Sequence, residues 1–217
     1  MVIKKTLIFA FILLTFSSCA LTGFVTETPK SEIRDVQRFA PVCDIDLLDK
    51  YDNGGHNDSL SELCRLTIEN YMDQQNAINT TGYISIEDSI IQNRVNEEIR
   101  QFNSANVAIK EKAQHAYLPT IDSILKQNGK RFGLLIHIEG FERTKQNWGE
   151  MFFKGFAYSI GAYGASDYYE AYSKLTIIIY DSNKKNIPFY DFSIKPDSKP
   201  THILDQQLYR LINQKFK

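Results

Sequence analysis

The chain has 217 residues, 43% hydrophobic and 24% charged, with a formal net charge of −1 and a pI of about 6.4. That length suits one globular domain with a real core, or a domain carrying a helical insertion. The near-neutral balance excludes the basic footprint of a nucleic-acid binder, and 11 glycines and 6 prolines exclude a mostly low-complexity chain.

The first residues differ in character from the rest. Lys4 and Lys5 make a basic start, and Thr6 to Phe16 is an apolar run too short to span a bilayer as a stable helix. Phe16, Ser17, Ser18, Cys19 and Ala20 follow. Basic start, apolar run, small residues and cysteine, in that order, resemble the signal and lipobox of bacterial prolipoproteins. The resemblance implies cleavage before Cys19 and a lipid on its thiol, the only group there able to take a diacylglycerol thioether. Phe16 departs from the pattern, standing where leucine is usual. Ala20 after the cysteine, in place of aspartate, implies an outer-membrane address in the same comparison. The competing reading is an ordinary secretory signal with Cys19 incidental. From Leu21 to about Ser31 the chain carries Thr, Gly, Pro, Glu and Lys with little apolar periodicity, which suits a flexible tether. The resulting division is a signal peptide over 1–18, a tether over 19–34 and a single α/β domain over 35–217.

Within the domain, Arg38 to Leu48 reads as a first strand, with Cys43, Ile45 and Leu47 alternating onto one face. Asp52 to His56 is a loop by its turn chemistry. Ser59 and Glu62 match a capping box, opening a helix that runs to about Met72 with Leu60, Leu63, Cys64, Ile68 and Tyr71 on one side. If that helix packs on that strand, Cys43 and Cys64 can meet, and an exported chain can keep a disulfide. Two separate buried cysteines acting as small apolar residues are the plainer alternative.

Gly82 to Ile86 is a short second strand. Ile91, Val95, Ile99, Phe102, Ala105, Ile109, Ala113 and Tyr117 then recur at three- and four-residue steps, as on one helical stripe. Pro119 breaks the run but suits the first turn of a new helix, continued by Ile121, Ile124 and Leu125 and ended at Asn128 and Gly129. Phe132 to Phe141 is a third strand, apolar enough to be central. Leu175 to Tyr180 is the clearest strand. Asp181 to Asn186 is a turn, and Phe189 to Ile194 returns as a hairpin partner that Pro188 confines to an edge. Thr201 can cap a final helix with Leu204, Leu208, Leu211, Ile212 and Phe216 inside. The expected fold is α/β (α+β), a mixed sheet of about five strands flanked by helices, with a long helical insertion between strands 2 and 3.

This order of elements, the anchor and the late hairpin resemble the fold shared by the TolB amino-terminal domain, the curli-secretion lipoproteins and the lipoprotein activators of penicillin-binding proteins. The likeness covers about Arg38 to Phe216 and implies a binding or scaffolding role without catalysis. The long helical stretch departs from the compact members.

Few residues suggest chemistry. His137 and Glu139 share a strand face, where a metal or acid–base pair could start, but spacing supplies no third ligand and a polar strand face is the plainer reading. His56, His115 and His202 are isolated. No Gly-x-Ser-x-Gly or Ser-x-x-Lys marks a nucleophile, and Gly161 to Gly164 lacks the lysine of a phosphate loop. No catalytic residue, metal ligand or cofactor is assigned. Glu139 and Glu142 come nearest to the carboxylate pair, about 5–10 Å apart in a cleft, that a glycosidase needs. Phe152 to Tyr172 is the most unusual stretch, with Ala157, Gly161 and Ala165 four apart among aromatic rings. It reads as a membrane-inserting or oligomerising segment, as an aromatic platform for glycan or peptide, or as tight packing with tyrosines at the rim. Tyr163, Tyr168, Tyr169 and Tyr172 are its candidate interaction surface. The expected function is a non-enzymatic, protein-binding or scaffolding lipoprotein, joined to the membrane through lipid on Cys19 and partnered by an envelope protein. A cell-wall or glycan hydrolase and a subunit of a multimeric secretion assembly are the alternatives.

Overall fold

The computed structural model describes residues 28–49, 53–106, 113–144 and 169–216. Its centre is the strand Phe132–Arg143, whose first seven residues are all buried. A strand covered on both faces needs such a continuous apolar run. The strands around it are β1 (Val36–Arg38), β2 (Val42–Leu48), β3 (Gly54–His56) and β4 (Thr80–Tyr83), so the central strand is β5. After it come β6 (Ala171–Asp181) and β7 (Asn186–Pro196).

One edge of β5 pairs antiparallel with β6 from Phe132 opposite Asp181 to Glu142 opposite Ala171. The other edge is shared end to end. Parallel β1 lies against Gly133 and Leu134, and parallel β2 against His137 to Arg143. The single strand expected from Arg38 to Leu48 is therefore two. Phe39 still donates its N–H to the Leu134 carbonyl at 3.1 Å, but Pro41 has no N–H to give and the chain rejoins the ladder only at Val42. β4 pairs parallel with β1, and β3 pairs antiparallel with β2 inside the stretch expected to be a loop. Gly54 permits that pairing, since a Cβ there would lie 2.1 Å from the Leu47 carbonyl oxygen. β7 pairs only with β6, on the edge that Pro188 requires. The mixed α/β class is as expected, with seven strands in the sheet in place of about five.

Helices cover both faces. Helix α1 (Asp58–Gln74) is capped by Asn57, whose side-chain oxygen accepts the Leu60 N–H at 2.9 Å. The expected Ser59–Glu62 box is not used, and Glu62 pairs with Arg65 at 2.5 Å. Helices α2 (Ser89–Asn106) and α3 (Pro119–Gln127) follow, the latter with Pro119 in its first turn and Gly129 at φ +63° just beyond its end. Helix α4 (Pro200–Leu208) starts at Pro200, runs into a π turn over Tyr209–Asn213 and closes with Gln214–Phe216. Thr201, the expected cap, instead donates its hydroxyl to Glu142 at 2.6 Å.

Strand alternation divides the core in two. Toward α1 and α4 lie Ile45, Leu134, Ile136, Ile138, Leu175, Ile177 and Ile179, packed on Cys64, Ile68, Met72, Leu204, Leu208 and Ile212. Toward α2 and α3 lie Val42, Leu135, Ile178 and Tyr190, packed on Val95, Ile99, Phe102, Ile121 and Leu125. The final-helix core of Leu204, Leu208, Leu211, Ile212 and Phe216 is buried as expected. The expected long stripe is not uniform. Ile91 and Tyr117 at its ends are 37% and 51% exposed, and Ala105 and Ile109 lie outside the described side chains. Steps of four residues drift by about 40° each on an α-helix, so Ile91 stands about 80° from Ile99, at the margin of the buried stripe. Leu63, expected inside α1, is also exposed.

Ile177 lies opposite Ile136 and is fully buried under α4's side of the sheet. Ile177→Ala is expected to cost about 2–5 kcal/mol. Urea titration checks it, with a lower midpoint and an unchanged slope as the expected outcome.

Candidate functional site

The register across β2, β5, β6 and β7 sets side chains on the α2 side of the sheet in rows. Leu135, Ile178 and Tyr190 form an apolar row. The next row is Val42, His137, Thr176 and Phe192, then Asp44, Glu139, Lys174 and Ile194, and last Asp46, Phe141, Tyr172 and Pro196. Polarity thus rises toward the carboxyl ends of the parallel strands β2 and β5, where open α/β sheets place their ligand sites.

His137 is 3% exposed and bonded on both sides. The Asn103 amide nitrogen lies 3.1 Å from the Ile99 carbonyl and 2.7 Å from His137 Nδ1. Because the carbonyl can only accept, that nitrogen is the donor, and Nδ1 accepts from it. The imidazole proton is therefore on Nε2, which donates to Asp44 Oδ2 at 2.9 Å. Arg100 closes the other side of Asp44 with Nε and Nη2, both at 2.8 Å. Burial alone would raise the Asp44 carboxyl, but hydrogen bonds from His137 and Arg100 outweigh it and hold the group well below the usual carboxylate range. One step outward, Lys174 donates to Glu139 at 2.5 Å from a nearly buried position.

This constellation is closed on itself. An Asp–His pair acts as a base only when its far nitrogen faces the group to be deprotonated, and Asn103 occupies that nitrogen here. His137 and Glu139 do share a face, as expected, yet each is spent on a different partner. Glu139 and Glu142 do not make a pair in one cleft. Three residues apart on a strand, they face opposite sides, and Glu142 is held by Thr201 and, at 3.4 Å, by Lys199 on the α4 side. His56, His115 and His202 are exposed. Among the described residues no group of three or more His, Cys, Asp or Glu is placed to hold a metal ion.

Cys43 and Cys64 are both free thiols in this structure, with no bridge between them. Burial pushes Cys64 up to about 12. Burial, followed by the neighbouring Cys64, pushes Cys43 higher still. Disulfide exchange runs through the thiolate, which such burial makes scarce.

Of the expected aromatic surface, Tyr163, Tyr168 and the stretch 152–168 as a whole lie outside the described residues. Tyr169 and Tyr172 are half-buried. The Tyr172 ring stacks on Phe141 at 6.1 Å and 18°. The Arg143 guanidinium lies 5.2 Å from the Phe141 centroid, and its Nε donates to the Tyr169 carbonyl at 2.9 Å. Phe141 and Arg143 were missed by sequence reasoning, although alternation from Glu139 puts both on one strand face. Asp44, Arg100 and Asn103 carried no local signal, because their partners are 34 to 93 residues away.

No family model and no curated protein matches the sequence. Among solved structures, the chain is similar to the PelC dodecamer from Paraburkholderia phytofirmans, with a TM-score of 0.41 and 6% identity over 88% of this chain and 94% of that one. It is also similar to the LpoB C-terminal domain from Salmonella enterica, with a TM-score of 0.32 and 8% identity over 84% and 89%. Likenesses this loose carry neither activity nor partner to this chain. No helix among the described residues is long and apolar enough to cross a membrane.

Asp44→Asn removes the charge that Arg100 and His137 share. It is expected to cost about 1.5–3 kcal/mol at pH 7, the range for hydrogen bonds to a charged group. A depressed folded pKa means that this stabilisation is full above the unfolded value near 3.9 and is lost as pH falls from there toward the folded value. Urea midpoints of both proteins at neutral and acid pH check it, and the gap between them should narrow as the pH drops below about 4.

Proposed function

We propose that this chain is an exported lipoprotein, held at the outer membrane through lipid on Cys19, whose domain binds another envelope protein without catalysing a reaction. The order of Lys4 and Lys5, the apolar run, Ser17, Ser18 and Cys19 supports the anchor. The observation that carries the binding half is the stack of Tyr172 on Phe141 with Arg143 beside it. Tyrosine, phenylalanine and arginine are the residue types enriched where protein interfaces concentrate their energy. Both rings are half-buried at the end of the sheet, and the apolar side chain of Ile194 is exposed one row away. The charged groups beneath them are already paired, which leaves a rigid base for a partner to close over.

Two measurements check the halves separately. Cys19→Ala should abolish palmitate labelling and leave the precursor uncut, and normal labelling would remove the anchor from the proposal. Tyr172→Ala should lower recovery of crosslinked envelope partners by about tenfold or more, as for a central interface residue, with an unchanged melting temperature. Unchanged recovery, or a loss that follows a fall in melting temperature, counts against a surface role.

A further inference from the structure

On the opposite side of the sheet, α1 and α4 leave a groove of about 680 Å³ between them. Thr67, Asn70, Tyr71 and Gln74 line it from α1, at the spacing that keeps them on one helical face. Asp205, Gln206 and Tyr209 line it from α4 and the π turn. The turn explains how the second wall stays straight. A regular α-helix would rotate every fourth residue steadily out of line. The wider π turn over Tyr209–Asn213 takes up that rotation. Leu204, Leu208, Ile212 and Phe216 therefore stay buried in one row, while Asp205 and Tyr209, four residues apart, line the groove. Asn213 then accepts the Tyr71 hydroxyl at 2.9 Å, which ties the two walls together and fixes one ring.

The chemistry of the lining is narrow. Three side-chain amides (Asn70, Gln74 and Gln206) and the Asp205 carboxylate make no hydrogen bond to another described residue. Tyr209 is 48% exposed beside them. No lysine, arginine or histidine is among the described residues that line the groove. An anion would meet one carboxylate and no cation. A peptide would find no open strand edge, and the apolar part of the lining is the carbon of these polar side chains and of the Tyr71 and Tyr209 rings, the exposed leucines of α1, Leu63 and Leu66, lying outside it. Amides offer a donor and an acceptor side by side, the match for neighbouring sugar hydroxyls, and a carboxylate accepts two more. A half-exposed tyrosine gives an apolar ring face for the C–H side of a pyranose and a hydroxyl that stays wet.

We propose that this groove binds a neutral oligosaccharide strand, with Tyr209 as the stacking platform and Asn70, Gln74, Asp205 and Gln206 as the hydroxyl-binding groups. The site lies on the other face of the sheet from Tyr172 and does not depend on the lipid anchor or on the protein partner proposed above. The test uses the full lipidated chain in a zwitterionic detergent, because sugar-based detergents would compete. Calorimetric titration with the tetrasaccharides of β-1,4-linked glucose and of β-1,4-linked N-acetylglucosamine should give saturable binding of at least one, and the pair shows whether the acetamido group is read. Tyr209→Ala, and separately Asn70→Ala with Gln206→Ala, should each weaken that binding by about tenfold or more, on the order of one lost stacking or paired hydrogen-bond contact. All three positions are exposed, so the melting temperature should not move. Tyr172→Ala should bind sugar as the parent does. Saturation by neither tetrasaccharide, equal affinity in the groove variants, or saturable binding of an uncharged tetrapeptide in their place overturns the proposal.

Discussion

Everything else in this domain depends on β5 being covered on both faces and paired along both edges. Its apolar run from Phe132 to Ile138 has nowhere to go but the middle of a sheet. Pairing with β6 is continuous, whereas the other edge is divided between two short parallel strands joined across Pro41. That division decides the rest of the topology. β1 carries β4 outward at one end, and β2 carries β3 at the other. The helices between these strands must then cross the faces, which puts α1 on one side and α2 with α3 on the other. The far end of the β5–β6 ladder is fixed by a buried charge. Asp181 is fully buried and takes three contacts from Arg131 while its Oδ1 accepts from the backbone of Asn183 in the next turn.

The two faces solve different problems. Toward α4 the sheet is apolar through Ile138 and Leu175 and ends in polar groups bonded to the helix, Ser173 to Gln207 and Glu142 to Thr201, while the π turn keeps Phe216 against Phe189, their rings 4.7 Å apart. Toward α2 the apolar rows give way to charged ones, and buried charge is tolerable only when it is paired and bonded. Asp44, His137, Asn103 and Arg100 meet that condition as one chain of contacts from strand to strand to helix, which fixes where the last turns of α2 sit. Two atoms stay outside it. Asn103 Oδ1 and Thr176 Oγ1 are buried without a partner among the described residues, both beside His137. The cluster therefore acts as a clamp between sheet and helix.

Local periodicity made part of this fold legible before any contact was seen. The apolar runs of β5 and β6, the hairpin turn before β7, the edge position imposed by Pro188, the first turn at Pro119 and the inner row of the last helix all follow from patterns within a few residues. So does the shared face of His137 and Glu139. Features that turn on distance along the chain emerge only from the packed domain. Pro41 looks like part of one strand until β5 is seen to need two partners there. Gly54 and Gly55 look like a loop until Leu47 and Leu48 lie beside them. Glu139 and Glu142 look like a pair until their strand is straight enough to send them to opposite faces. Asp44 carries no mark of its burial in the residues around it, because the groups that hold it, Arg100 and His137, are 56 and 93 positions away. A hydrogen bond spanning that separation leaves no periodicity behind. The energy that selects it appears only once helix and sheet have excluded water from the space between them.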